Sequence, residues 1–95
     1  MVLHQQHIYT HQNHFTEHQI ELIKGDVLYL FTDGFADQFG GVDGKKFKYA
    51  PFKRTLIDIQ HLSMENQREH LGKLFFDWKG ELEQIDDVTV MGIKM

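Results

Sequence analysis

The run Val27-Leu28-Tyr29-Leu30-Phe31 passes through Thr32 straight into Asp33-Gly34. Five large apolar residues in a row read as a strand buried in a sheet. A carboxylate just beyond them stands near the core, where an unpaired charge is costly. Either the chain simply turns at Asp-Gly, or a positive group meets the carboxylate there. A second boundary of the same kind lies near the other end of the chain. Asp86-Asp87 directly precede residues 88–95, a nearly all-apolar run that reads as a last strand, central in its sheet.

The segment between these runs reads as helical. Tyr49-Ala50-Pro51 opens an element, since proline is tolerated in a first helical turn where its missing N–H has no partner. Phe52, Leu56 and Ile59 follow at i, i+4 and i+7, one face of a helix. Ser63 is an N-cap candidate, with Glu65 close to the positive helix end. Leu71, Leu74, Phe75 and Trp78 form the next apolar stripe, and Gly80 reads as its stop. Such a stripe is far more often core than ligand face. Gly34, Gly40, Gly41 and Gly44 mark a loop with room for one short helical turn. Upstream, Ile20 and Leu22 alternate with Gln19 and Glu21, and Lys24-Gly25-Asp26 is a turn signal. Residues 19–22 and 27–31 therefore read as a hairpin. The predicted order is strand, strand, helix, helix, strand, an α+β arrangement in one domain.

Composition narrows the function classes. The chain has 95 residues, 41% hydrophobic and 13% aromatic, which are globular values. A formal net charge of -4 argues against a nucleic-acid partner, whose phosphates call for a basic face. No apolar run reaches the roughly 18 residues of a membrane span, and the start has neither the basic nor the apolar region of a signal peptide. There is no cysteine, hence no disulfide and no thiolate metal ligand. A cytoplasmic location is the expectation.

If strand 88–95 lies antiparallel to strand 27–31, the end of one adjoins the start of the other. Asp33 and Asp86 or Asp87 then meet at one rim of the sheet. Carboxylates gathered without basic partners repel, and a divalent cation removes that conflict. Mg²⁺ and Mn²⁺ prefer oxygen ligands and often use a few carboxylates plus waters. Gly34 lets the backbone turn sharply after Asp33. The plain alternative is an Asp-Gly turn and a solvated Asp-Asp loop.

The texts "LYLFTDGFADQFGG" and "ELEQIDDVTVMGIKM" together resemble the C-terminal part of SpoIIE-like phosphatase domains. These are bacterial members of the PPM family of metal-dependent serine/threonine protein phosphatases. "GKKFKYAPFK" and "LSMENQREHLGKLFFDWKG" resemble versions that serve as output domains of sensor proteins. The resemblance implies a single partial domain: residues 1–17 as a polar, His-rich lead-in, and 18–95 as the C-terminal portion of a PPM-type β-sandwich flanked by helices. It implies that Asp33 and Asp86 are metal ligands, with Gly34, Asp37 and Asp87 in support. Asp37 would hydrogen-bond a water on the metal. In the family, two Mg²⁺ or Mn²⁺ ions activate a water that attacks a phosphoserine or phosphothreonine in a protein substrate.

One departure matters. The family also uses an upstream aspartate, in a D-x-x-G-H-G-like segment, that bridges the two metals. No aspartate precedes Asp26 here. The expectation is therefore a fragment of a phosphatase, inactive by itself and with weak or no affinity for Mg²⁺ or Mn²⁺. Upstream sensor domains would belong to its parent. Strands lacking their partners expose edges, so self-association is expected. The alternative is a non-enzymatic binding or self-assembly module derived from that domain.

A last feature is the histidine series His4, His7, His11, His14 and His18. On a helix these would share one face, and histidines four apart can chelate Zn²⁺ or Ni²⁺. The segment has no apolar stripe to hold such a helix, so a polar lead-in is the favoured reading.

Overall fold

A computed structural model describes residues 2–4, 7–9 and 23–95. Three antiparallel pairings build its main sheet. Strands β1 (Val2–His4) and β2 (His7–Tyr9) pair with each other, β1 pairs with β3 (Val27–Phe31), and β3 pairs with β6 (Val90–Lys94). The strand order is β2-β1-β3-β6. Between β3 and β6 come a single turn of helix, α1 (Gly34–Asp37), and a small two-stranded ribbon, β4 (Phe39–Gly40) with β5 (Lys45–Lys46). Helices α2 (Tyr49–Ile59) and α3 (Met64–Lys79) follow.

Alternation along β3 decides which face carries the core. Val27 and Tyr29 are buried, whereas Leu30 is half exposed. Since residues opposite one another in an antiparallel pair share a face, Leu30 and Met91 point the same way, as do Leu28 and Ile93. The inner face packs on the helices. Phe52, Leu56 and Ile59 of α2 are buried, as their spacing requires, with Leu71 and Phe75 of α3 and Phe35 of α1. Phe35 sits at the centre of this aromatic core, its ring 4.8 Å from Phe52, 5.2 Å from Phe47 and 5.2 Å from Phe75.

Local signals set the helix limits. The Ser63 hydroxyl accepts from the Asn66 N–H at 3.1 Å, capping α3 as its position suggests. At the other end Gly80 takes φ 55° and its N–H reaches Phe76 O at 3.0 Å. Trp78, near that end, donates its indole N–H to Gln38 O at 2.8 Å. The backbone of Trp78 lies against Gly40, where any side chain would overlap its carbonyl. This close approach fastens the ribbon to α3.

One polar group of the core was not evident from the apolar stripe. Gln67 of α3 is buried. It accepts from the Tyr29 hydroxyl and donates to Leu62 O at 3.1 Å, so its amide is satisfied. Burial pushes the Tyr29 phenol above its ordinary value of 10.0, against the lowering effect of the Gln67 hydrogen bond.

Two expectations need correction. Among the described residues the last strand is not central: β6 ends the sheet order and starts at Val90, with residues 88–89 outside it. Its apolar residues are shared between an inner face and an outer face that the described residues leave open. Met91 is 51% exposed and Ile93 39%. The lead-in is not wholly without core elements, because β1 joins the sheet and Leu3 is 0% exposed. A three-residue strand is too short to display a period. His4 and His7 lie opposite each other in the β1–β2 pair. His11, His14 and His18, and the 19–22 arm of the expected hairpin, lie outside the described residues.

Candidate functional site

The antiparallel pairing of β3 with β6 carries Asp33 and the Asp86-Asp87 loop to one rim of the sheet. Phe31 pairs with Val90 at the end of the ladder. Thr32 continues the zipper beyond the strands. Its N–H donates to Thr89 O at 3.0 Å, and its hydroxyl accepts from the Thr89 N–H at 3.1 Å. The same hydroxyl donates to Asp87 O at 3.3 Å. Gly34 then lies directly against Asp87: a Cβ added there would overlap the Asp87 carbonyl and touch Val88 Cγ2 at 3.1 Å. Glycine is thus needed here for contact between two segments; Gly34 opens α1 without a positive φ, so the turn after Asp33 does not itself call for glycine.

The carboxylates have distinct surroundings. Asp33 accepts a hydrogen bond through Oδ1 from the Tyr49 hydroxyl. Asp86 accepts through Oδ1 from the Asp87 N–H at 2.8 Å, and Gln84 Nε2 donates to Asp86 O at 2.9 Å, which shapes the loop. Residues Gln84, Ile85, Asp86 and Asp87 line an open concavity. Among the described residues, no lysine or arginine forms an ion pair with Asp33, Asp86 or Asp87. Asp37 differs. It lies one turn along, with its N–H donating to Asp33 O at 2.9 Å, and its carboxylate lies 3.7 Å from Lys46 Nζ.

Tyr49 opens α2 and its ring lies 6.0 Å from that of Phe31. Its phenol is pushed up to about 12, first by burial, then by the hydrogen bond to Asp33 and the charges of Asp33 and Asp37. The hydroxyl is accordingly a standing donor. Sequence reasoning did not single out Thr32 or Tyr49. The hydroxyl in the Thr-Asp-Gly triplet was the available signal for Thr32. Nothing local marks Tyr49, which meets Asp33 only through the fold.

Donor chemistry at the rim suits a hard divalent cation: the carboxylate oxygens of Asp33, Asp86 and Asp87, none of them ion-paired with a basic side chain among the described residues. The number of donors is smaller than a closed site needs. Among the described residues, no group of three or more His, Cys, Asp or Glu side chains gathers around one point. No helix among the described residues is long and apolar enough to cross a membrane.

Comparison with known proteins identifies the family and the fold. The family model for Stage II sporulation protein E (SpoIIE) matches residues 8–95. A solved structure, the SiaA-PP2C domain of Pseudomonas aeruginosa, superposes with a TM-score of 0.75 at 33% identity. The match covers 80% of this chain and 31% of that one, so the chain spans about a third of the length of that domain. No curated protein matches. With the family model spanning nearly its whole length and the α+β portion of a PPM-type fold in place, the chain belongs to the SpoIIE family of phosphatase domains.

Proposed function

We propose that this chain is one portion of a metal-dependent serine/threonine protein phosphatase, and that it contributes the carboxylates of Asp33 and Asp86 to the cation site. The observation that carries the reading is the Thr32–Thr89 clamp with the Gly34–Asp87 contact. It fastens two acidic segments, far apart in sequence, to one rim, and among the described residues Asp33, Asp86 and Asp87 form no ion pair with a basic side chain. Asp87 and Gly34 act as supports, the first through its backbone and the second through its lack of a side chain.

When bound, Mg²⁺ or Mn²⁺ would supply an activated water and offset charge on the phosphoryl oxygens of a phosphoserine or phosphothreonine. The residues here hold and orient. Asp33 and Asp86 offer oxygen ligands, Tyr49 holds Asp33, and Asp37 stands by with Lys46 beside it. Two rim carboxylates with a third as support bind a cation weakly, so the chain alone turns over little or no phosphomonoester. The bridging aspartate of the family would come from elsewhere in a complete domain.

The test is a Mn²⁺ titration followed by amide line broadening in NMR, with a p-nitrophenyl phosphate assay alongside. Selective broadening at Asp33 and Asp86 that disappears in Asp33→Asn, with no turnover, is the expected result. Robust turnover lost on Asp33→Ala would show that no further carboxylate is needed. Broadening that ignores Asp33→Asn would remove Asp33 from the site.

A second reading is a self-assembly module. It is favoured by the outer sheet face, where Leu30, Met91 and Ile93 are exposed side by side, and by the terminal position of β6.

A further inference from the structure

Tyr49 lies outside both acidic motifs, yet its hydroxyl reaches Asp33 Oδ1. We propose that Tyr49 is a positioning residue, fixing the Asp33 carboxylate in the orientation from which it ligates a divalent cation. The inference rests on the reading of Asp33 as a ligand given above.

Three observations carry it. The Tyr49 contact is the carboxylate's sole hydrogen bond or ion pair among the described residues, so the other oxygen, Oδ2, is left open. The phenol ring is itself held. It leans on Phe31, whose ring meets Phe52 edge-on at 4.9 Å. The hydroxyl is thus anchored both to the strand that leads into Asp33 and to the helix that bears Tyr49. Finally, the residue before Tyr49 is strained. Lys48 has φ 77° and ψ 160°, a region that essentially only glycine enters without cost. Its N–H donates to Ala36 O at 2.8 Å, within the α1 turn that follows Asp33. The strained link ties the start of α2 to α1 and so brings Tyr49 over the rim.

The physical reason for such a residue is rotamer freedom. A surface aspartate samples several side-chain orientations, and a ligand must be held in one. Hydrogen bonds to ligating carboxylates fix that orientation, and their loss typically lowers metal affinity by about 10- to 100-fold. A neutral phenol does this without adding a positive charge that would compete with the cation.

The experiment uses the full 95-residue chain, labelled with ¹³C and ¹⁵N. Side-chain couplings of Asp33 are read without metal in the wild type, Tyr49→Phe and Tyr29→Phe. Mn²⁺ is then titrated and broadening followed at Asp33, Asp86 and Asp87. The phenylalanine at 49 keeps the ring and its packing. The change at 29 removes a phenol hydroxyl that is buried, the one bonded to Gln67. A single Asp33 rotamer is expected in the wild type and in Tyr29→Phe, and an averaged one in Tyr49→Phe. Tyr49→Phe should need about tenfold more Mn²⁺ for half-broadening. An averaged wild-type rotamer, or an unchanged Mn²⁺ midpoint in Tyr49→Phe, overturns the positioning role while leaving Asp33 a ligand. Absence of wild-type broadening at Asp33, or its persistence in Asp33→Asn, overturns the ligand reading and this proposal with it.

Discussion

Gly34 and Asp87 touch through their backbones, leaving no space for even one methyl group between the turn after β3 and the loop before β6. The obstacle is a carbonyl fixed by Thr32, not the tip of a flexible side chain. Gly34→Ala should therefore force the two segments apart. A destabilisation of about 1–3 kcal/mol, the usual range for overpacking, is expected in urea unfolding. Selective Mn²⁺ broadening at Asp86 should vanish with it. An alanine variant of native stability would mean that the segments separate without cost.

Thr32→Val tests the clamp at constant shape. It removes the acceptor for the Thr89 N–H and the donor to Asp87 O. The site is exposed to water, so a loss of about 1 kcal/mol is expected, near the typical net value of a hydrogen bond. Hydrogen exchange at Thr89 should accelerate while the amides of α3 stay protected.

Lys48→Gly should raise stability. Non-glycine residues held in the backbone region of Lys48 lose about 1–3 kcal/mol, and the added flexibility of glycine in the unfolded chain returns up to about 1 kcal/mol of that. A higher urea midpoint at unchanged slope is the expected readout. A lower midpoint would show that the lysine conformation carries no strain.

Alkaline unfolding should involve Tyr29. Its phenol is raised above 10.0 by burial, so the folded state holds the proton more tightly than the unfolded one. That contribution is complete below pH 10 and is lost as pH rises through the folded value. Tyr29→Phe removes this share and should flatten the alkaline limb of the stability curve. At neutral pH the same variant should be less stable by about 1–3 kcal/mol, because Gln67 Oε1 loses its buried donor.

The outer sheet face gives a test of assembly. Leu30 and Met91 stand opposite each other there, each 51% exposed. Light scattering should report a dimer or larger species for the wild type, and Leu30→Lys should shift it toward monomer, since a charge on such a face opposes association. A wild-type monomer at high concentration would remove the self-assembly reading.

The elements most legible in the sequence were those with a long period. The Phe52, Leu56, Ile59 face and the Ser63 cap were readable because several turns of helix repeat the same signal. The approach of the Thr32 to Gly34 turn to Asp87 was also inferable, because two apolar runs, each bounded by acid, needed only antiparallel pairing. What escaped notice was either short or non-local. Strand β1 shows one buried leucine and no period. The apolar residues of β6 do not say which of its two faces is covered. Tyr49 meets Asp33 from 16 positions further along the chain, through a strained turn that no propensity would favour.

The Thr32–Asp87 contact spans 55 positions in the chain. A nascent polypeptide emerging from the ribosome thus carries Asp33 for several seconds before Asp87 exists, at synthesis rates of about 5–20 residues per second. Throughout that interval the first acidic segment has no docking partner. The acidic edge is consequently among the last features to mature, and any translational stall or premature stop before residue 87 yields a product without it.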